Sequence, residues 1–148
     1  MDKFTTTSYK NTQKLGIALA KEVLKTGPQK KAVVLALLGN LGGGKTTFVQ
    51  GIAKGLGVKN KILSPTFVIM KKFKTPRGKF KFFYHIDCYR MGSGKDILHL
   101  GLKGVFSDPK NIVAVEWPEK IKKILPKTAV KINFKFIGEN KREISFKK

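Results

Sequence analysis

The sequence predicts a single-domain α/β fold of the P-loop type over residues 1–148, with a mixed sheet, parallel at its core, that carries antiparallel hairpins and is flanked by helices. Three observations carry this expectation. Ala32 to Leu38 reads AVVLALL, a continuous apolar run of the kind buried on both faces of a parallel sheet. A glycine-rich segment, Gly39 to Gly44, follows it directly and leads into an amphipathic stretch. Further along, paired apolar runs are separated by Pro-, Gly- and Asn-containing turns.

Taken in order, Asn11 to Thr26 sets Leu15, Leu19 and Val23 four residues apart, with Ser, Thr and Asn available as caps before it and Gly27 after it; this predicts a helix. Ala32 to Leu38 is the central strand. Lys45 to Leu56 carries Phe48, Ile52 and Leu56 on one face and stops at Gly57, which predicts a second helix with a glycine stop. Thr66 to Phe73 and Lys79 to Tyr84 are strand-like and flank Lys74 to Gly78, a turn segment, so a hairpin is expected. Asn111 to Val115 predicts a short buried strand and Glu119 to Leu125 a short helix. Ala129 to Ile137 and Arg142 to Phe146 form a second expected hairpin across Gly138 to Asn140. No repeat, linker or composition break marks a second domain.

Composition narrows the function classes. The chain has 148 residues, long enough to bury a substantial core. No apolar run approaches the ~18 residues of a membrane span, and the amino terminus lacks the apolar stretch of a signal peptide. A single cysteine, Cys88, excludes an intramolecular disulfide, and a cytoplasmic location is the default expectation. The net charge of +22 suits attraction to RNA, DNA or an acidic surface. Only Arg77, Arg90 and Arg142 among the 31 basic residues are arginines, the side chain better suited to bidentate phosphate recognition. A lysine-biased, solvated surface accounts for the charge equally well, and the sequence leaves both readings open.

The chemistry is concentrated in Gly39-Asn40-Leu41-Gly42-Gly43-Gly44-Lys45-Thr46, which satisfies G-x-x-x-x-G-K-[ST]. In this pattern backbone N–H groups cradle phosphates, the lysine reaches the β and γ oxygens, and the hydroxyl holds Mg²⁺. Glycine lets the backbone approach the phosphates without a Cβ in the way. Its setting between a buried strand and an amphipathic helix is the context the motif requires. A Mg²⁺–nucleotide site also needs acids, of which the chain has nine. Asp87 and Glu116 each close an apolar strand, the position from which a carboxylate meets a ligand at strand ends. His99 and Cys88 show no partner spacing and read as structural.

Four further pieces occur in order: Ser64-Pro65-Thr66-Phe67, His85-x-Asp87-x-Tyr89-Arg90, Glu116-Trp117-Pro118-Glu119 and Arg142-Glu143-Ile144. With the loop, they resemble the TsaE family, ATPases that act with a TsaB–TsaD complex in the threonylcarbamoyl modification of adenosine in tRNA. The resemblance is closest from Leu15 to Leu125. It implies that Leu41, Gly42, Gly43, Gly44, Lys45 and Thr46 contact ATP, that Thr46 and Glu116 bind Mg²⁺, and that Trp117 lies against the adenine. It implies a switch role for Thr66 and an orienting role for Asp87 toward water or metal, with His85, Tyr89 and Arg90 linking nucleotide state to the partner. It also brings the segment near Tyr9 toward the base edge. Asn40 and Gly43 stand where the family commonly has Asp and Ala, and Met91 to Asp96 is poor in the acids usual there. The expected function is a Mg²⁺-dependent ATPase subunit, weak alone and dependent on partners, with tRNA reached directly or through the complex. The competing classes are a P-loop kinase, for which three arginines are few and an inserted lid is lacking, and a basic RNA-binding module without catalysis.

Overall fold

Both faces of the central strand are covered, which explains its unbroken apolar sequence. In a computed structural model describing residues 2–39, 44–60, 62, 70–89 and 101–147, β2 (Val33–Leu38) turns Leu35 and Leu37 toward one cluster. Val34 and Ala36 turn toward another. The first cluster is closed by α1 (Tyr9–Thr26) and α2 (Lys45–Gly55) through Ala20, Phe48, Val49, Ile52 and Ala53. The second is closed by α3 (Leu102–Ser107) and a 3₁₀ turn (Pro118–Ile121) through Leu102, Phe106 and Ile121. A sheet between two helical layers follows.

The described strands form one seven-stranded sheet in the order β1-β7-β6-β2-β5-β4-β3. Its core is parallel: β2 pairs with β5 (Asn111–Glu116) and β6 (Val130–Gly138), and β5 pairs with β4 (Phe82–Asp87). Antiparallel pairs flank it, β3 (Met70–Lys74) on β4 at one side, and β7 (Lys141–Lys147) on β6 with β1 (Asp2–Thr6) on β7 at the other. This is the mixed sheet the sequence predicts. No helix among the described residues is long and apolar enough to cross a membrane.

The helix ends follow local chemistry. α1 begins two residues before the expected Asn11, because Ser8 Oγ accepts from the Asn11 N–H at 3.1 Å and caps the first turn. It stops at Gly27, whose N–H donates to the Val23 carbonyl. The connection of the first hairpin is longer than the expected Lys74 to Gly78: Thr75 N–H donates to the Lys81 carbonyl, and residues 75–81 form it; residues 66–69 of the expected first strand lie outside the described residues. The helix expected over Glu119 to Leu125 is one 3₁₀ turn beginning at Pro118, followed by further turns closed on the Ile121 carbonyl. β1 and α3 go beyond the expectation.

α1 and α2 cross in close contact because Gly51 lets α2 approach the α1 backbone. A Cβ there would strike the carbonyl oxygen of Gln13. Gly51→Ala is therefore expected to lower stability by about 1–3 kcal/mol through overpacking. Gly104→Ala in α3, where a Cβ meets nothing within 4 Å, is expected to be neutral or to stabilise by up to about 1 kcal/mol. Urea denaturation of both variants reads the contrast, and a neutral Gly51→Ala would contradict the close crossing.

Candidate functional site

The parallel pairing sets three strand ends side by side. In the β2–β5–β4 register, Leu37 lies opposite Glu116 and Glu116 opposite Asp87. The phosphate-loop segment leaves from the end of β2, so the two acids singled out in the sequence meet it at one edge of the sheet. Gly39 begins the turn at φ 133°, and a Cβ on it would strike the Phe134 carbonyl of β6. Glycine is required there. Residues 40–43 are outside the described residues, and so are Leu41, Gly42 and Gly43 of the expected ATP contacts.

Gly44, left-handed at φ 91°, opens α2, and no side chain among the described residues caps the helix. Its first turn also lacks an acid. Uncapped N–H groups and the positive end of the helix dipole suit an anion. Lys45, the first helical residue, is buried, and its ammonium donates to the Gly39 carbonyl at 2.6 Å. Burial lowers its pKa below the ordinary lysine value, opposed by the nearby carboxylates of Glu116, Glu119 and Asp87. Thr46, half-buried, follows in the same turn.

His85 and Glu116 form a buried pair across β4 and β5, with the His85 Nε2–H donating to Glu116 Oε2 at 2.6 Å. The spacing showed His85 only as an alternate position of a strand, since its partner lies 31 residues away. Asp87 is raised above the ordinary carboxylate value, mainly by burial, with Glu116 adding like-charge repulsion; the Tyr89 N–H, donating to Oδ1 at 2.9 Å, opposes this. No group of three His, Cys, Asp or Glu side chains among the described residues forms a ready metal cage. Glu116 and Asp87 at adjacent strand ends are donors that Mg²⁺ could take, since it binds through one or two carboxylates and completes its shell with water and phosphate oxygens. Thr46 adds a hydroxyl.

Trp117 adopts φ 57° immediately after Glu116, and Pro118 continues the chain into the 3₁₀ turn. The indole thereby comes to rest with the Lys45 ammonium 4.1 Å from its centroid and the Tyr89 ring 5.0 Å away on a tilt. It stands at the lysine end of the loop. On the other flank, Gly44 is bordered by Thr12 and Arg142. The Thr12 and Thr6 hydroxyls share a buried hydrogen bond of 2.8 Å, and the Arg142 guanidinium lies 4.6 Å from the Phe136 ring centroid. Thr12 carried no sequence signal, and Arg142 appeared as one of three arginines, at the start of an expected strand and in the closing motif, with no sign of its place beside Gly44. Thr66, Arg90 and His99 are outside the described residues.

A central parallel sheet, two helical layers and a G-x-x-x-x-G-K-T segment between strand and helix define a P-loop NTPase fold. A family profile described as "Threonylcarbamoyl adenosine biosynthesis protein TsaE" matches residues 6–144. The tRNA threonylcarbamoyladenosine biosynthesis protein TsaE of Bacillus subtilis is 40% identical over 117 residues, 79% of this chain and 70% of that protein. The TsaE protein of Nostoc sp. is 35% identical over 147 residues, 97% of this chain and 83% of its own. The crystal structure of YdiB from Bacillus subtilis superposes with a TM-score of 0.72 at 31% identity, covering 98% of this chain and 83% of that one. The chain belongs to the TsaE family, whose role is in tRNA threonylcarbamoyladenosine biosynthesis.

Cys88 lies next to Asp87 but is fully buried, and burial pushes its thiol up to about 12. At pH 8 its thiolate fraction is about 1 in 10,000, so a disulfide reagent is expected to label it only after unfolding. Because the folded value is raised, the stability associated with this thiol is present at neutral pH and is lost as pH climbs from about 9 toward the folded value. Labelling rates in native buffer and in guanidinium, read by absorbance, check this. Rapid native labelling would contradict the burial.

Proposed function

We propose that the chain is a Mg²⁺-dependent, ATP-binding and ATP-hydrolysing subunit that works in the cytoplasm with a TsaB–TsaD-type complex in the threonylcarbamoyladenosine modification of tRNA. One observation carries the reading: Lys45, Glu116 and Asp87 converge at adjacent parallel strand ends, close enough for both acids to act on the lysine charge. The P-loop sequence and the uncapped start of α2 supply the phosphate cradle. In this reading Leu41 to Thr46 hold the phosphates and Lys45 turns from the Gly39 carbonyl to the terminal oxygens. Thr46 and Glu116 ligate Mg²⁺, whose contribution is to neutralise charge on the phosphates.

His85 acts on Glu116, fixing one carboxylate oxygen so that the other is aimed at the metal. Asp87 orients water at the same edge, and Thr66 responds to the terminal phosphate. With Trp117 on the lysine, we assign the nucleoside to the opposite flank, where Thr12, Arg142 and the segment near Tyr9 border Gly44. Trp117 then walls the lysine rather than stacking on the base. Exposed Tyr9, Tyr89, Phe136 and Ile137 surround the same end of the sheet and suit a protein partner.

ATP turnover of the purified chain, alone and with its own organism's TsaB–TsaD, tests the reading. Turnover is expected to rise with the partners and to fall roughly 100-fold in Lys45→Ala. His85→Ala is expected to weaken Mn²⁺ binding in the presence of ADP by about 10–100-fold, read by electron paramagnetic resonance. His85→Gln, which keeps a donor near the Nε2 position, should largely restore it. No stimulation by the partners, with wild type and Lys45→Ala alike, would overturn the ATPase reading. Equal metal binding in wild type and His85→Ala would overturn the positioning role alone.

A further inference from the structure

The end of the molecule opposite the phosphate loop has a different chemistry. Thirteen Lys and Arg residues lie between Glu22 and Asp87 without a single acid, and the fold gathers many of them at the pole where β2, β4 and β5 begin. Contacts between elements establish this convergence. The Lys81 N–H donates to the Lys110 carbonyl, joining the starts of β4 and β5. Arg77 Nη1, in the β3–β4 connection, donates to the Gly55 carbonyl at the end of α2. Gly78 of the same connection packs on Leu24 near the end of α1, where a Cβ would lie 2.9 Å from Leu24 Cδ2.

Lys25, Lys54, Lys74, Lys79, Lys81 and Lys110 therefore share this pole, and all six are exposed. None of them is in an ion pair among the described residues. Of the described acids, Asp108 stands at the start of these strands, where its carboxylate accepts from the Lys110 N–H. Glu22 lies on α1 one turn before its end. Asp87, Glu116, Glu119, Glu139 and Glu143 lie at the opposite, phosphate-loop end, which is also where exposed Tyr9, Tyr89, Phe136 and Ile137 sit, and Asp2 lines a groove with Glu22. Most of the acids thus gather at the phosphate-loop end, while lysines stand at both ends. Six residues of β2 at ~3.3 Å each put about 20 Å between the two ends.

We propose that this lysine pole binds the sugar-phosphate backbone of tRNA directly. Its composition suits that partner better than an acidic protein surface. Protein interfaces draw most of their energy from buried aromatic and arginine anchors, and this pole has no exposed large apolar side chain among the described residues. Its arginine, Arg77, is engaged with the α2 carboxyl end. Flexible lysine point charges gain affinity by displacing counterions from phosphates, without reading sequence. Family membership in tRNA modification supplies the polyanion. This inference rests on that membership and not on the ATPase reading, since the pole and the phosphate loop lie at opposite ends.

The test compares two triple charge reversals of equal net charge. Lys74→Glu/Lys79→Glu/Lys81→Glu alters the pole; Lys10→Glu/Lys14→Glu/Lys135→Glu alters lysines at the phosphate-loop end. Binding of the full chain to fluorescein-labelled, unmodified tRNA is read by anisotropy between 50 and 200 mM KCl. A labelled poly-glutamate is the acidic-protein probe. The pole variant is expected to bind tRNA at least roughly tenfold more weakly, with a salt slope shallower by about 2–3; the other variant should stay within about threefold of wild type. Circular dichroism and thermal melting of both variants report folding. Should either reversal unfold the chain, the corresponding Lys→Gln set replaces it. Equal weakening by both sets would assign the affinity to diffuse net charge and overturn the proposal. Wild-type binding to poly-glutamate as tight as to tRNA, or no tRNA binding at all, would also overturn it. Failure of ATP turnover with tRNA binding intact would leave this inference standing and remove only the ATPase reading.

Discussion

Parallel pairing of β2 with β5 and of β5 with β4 brings together side chains that sequence keeps far apart. Each of these strands runs in the same direction, so their carboxyl ends share an edge, and whatever follows each strand is delivered there: Gly39 from β2, Glu116 from β5 and Asp87 from β4. The pairing depends on burial of both faces of β2 and β5 between two apolar clusters. If either helical layer were lost, the sheet would expose Val, Ile and Leu side chains on that face. The site geometry and the core are consequences of one arrangement.

The same edge concentrates electrostatic cost. Lys45 and Glu116 are buried and Asp87 partly so, in a chain whose basic residues are otherwise mostly on the surface. The lysine ammonium is satisfied by a backbone carbonyl and an indole face, and the Glu116 carboxylate by His85. Such groups are expensive to desolvate unless they are paired, and clusters of them with shifted pKa values are a mark of functional sites. At the other pole the lysines are solvated and inexpensive. One chain therefore separates a dry, mixed-charge site from a wet, lysine-rich surface.

Much of this was legible in the residues. β2, β5 and α2 were readable because burial on two faces leaves a continuous apolar run and a helix leaves a four-residue rhythm; Gly39 to Thr46 was readable as a motif in that context. β1 was not, because four of its five residues are exposed and its partner β7 lies at the far end of the chain. α3 has six residues with Gly104 among them, too short for a period to appear. The His85–Glu116 bond arises from pairing across the sheet, and the Thr12–Arg142 flank around Gly44 from the packing of α1 and β7 against the start of α2; no local spacing encodes either. The contact between Trp117 and Lys45 requires a left-handed backbone at a tryptophan, a conformation a sequence does not announce.

We propose that the strand ends and the loop together make one metal-dependent nucleotide site. Calorimetric titration of the chain with a non-hydrolysable ATP analogue, with and without Mg²⁺, for wild type and Glu116→Gln, tests it most directly. Mg²⁺ is expected to tighten binding by wild type and to lose that effect in Glu116→Gln, with metal-free binding the same in both. Absence of binding by wild type, or a Mg²⁺ effect that survives in Glu116→Gln, would contradict it.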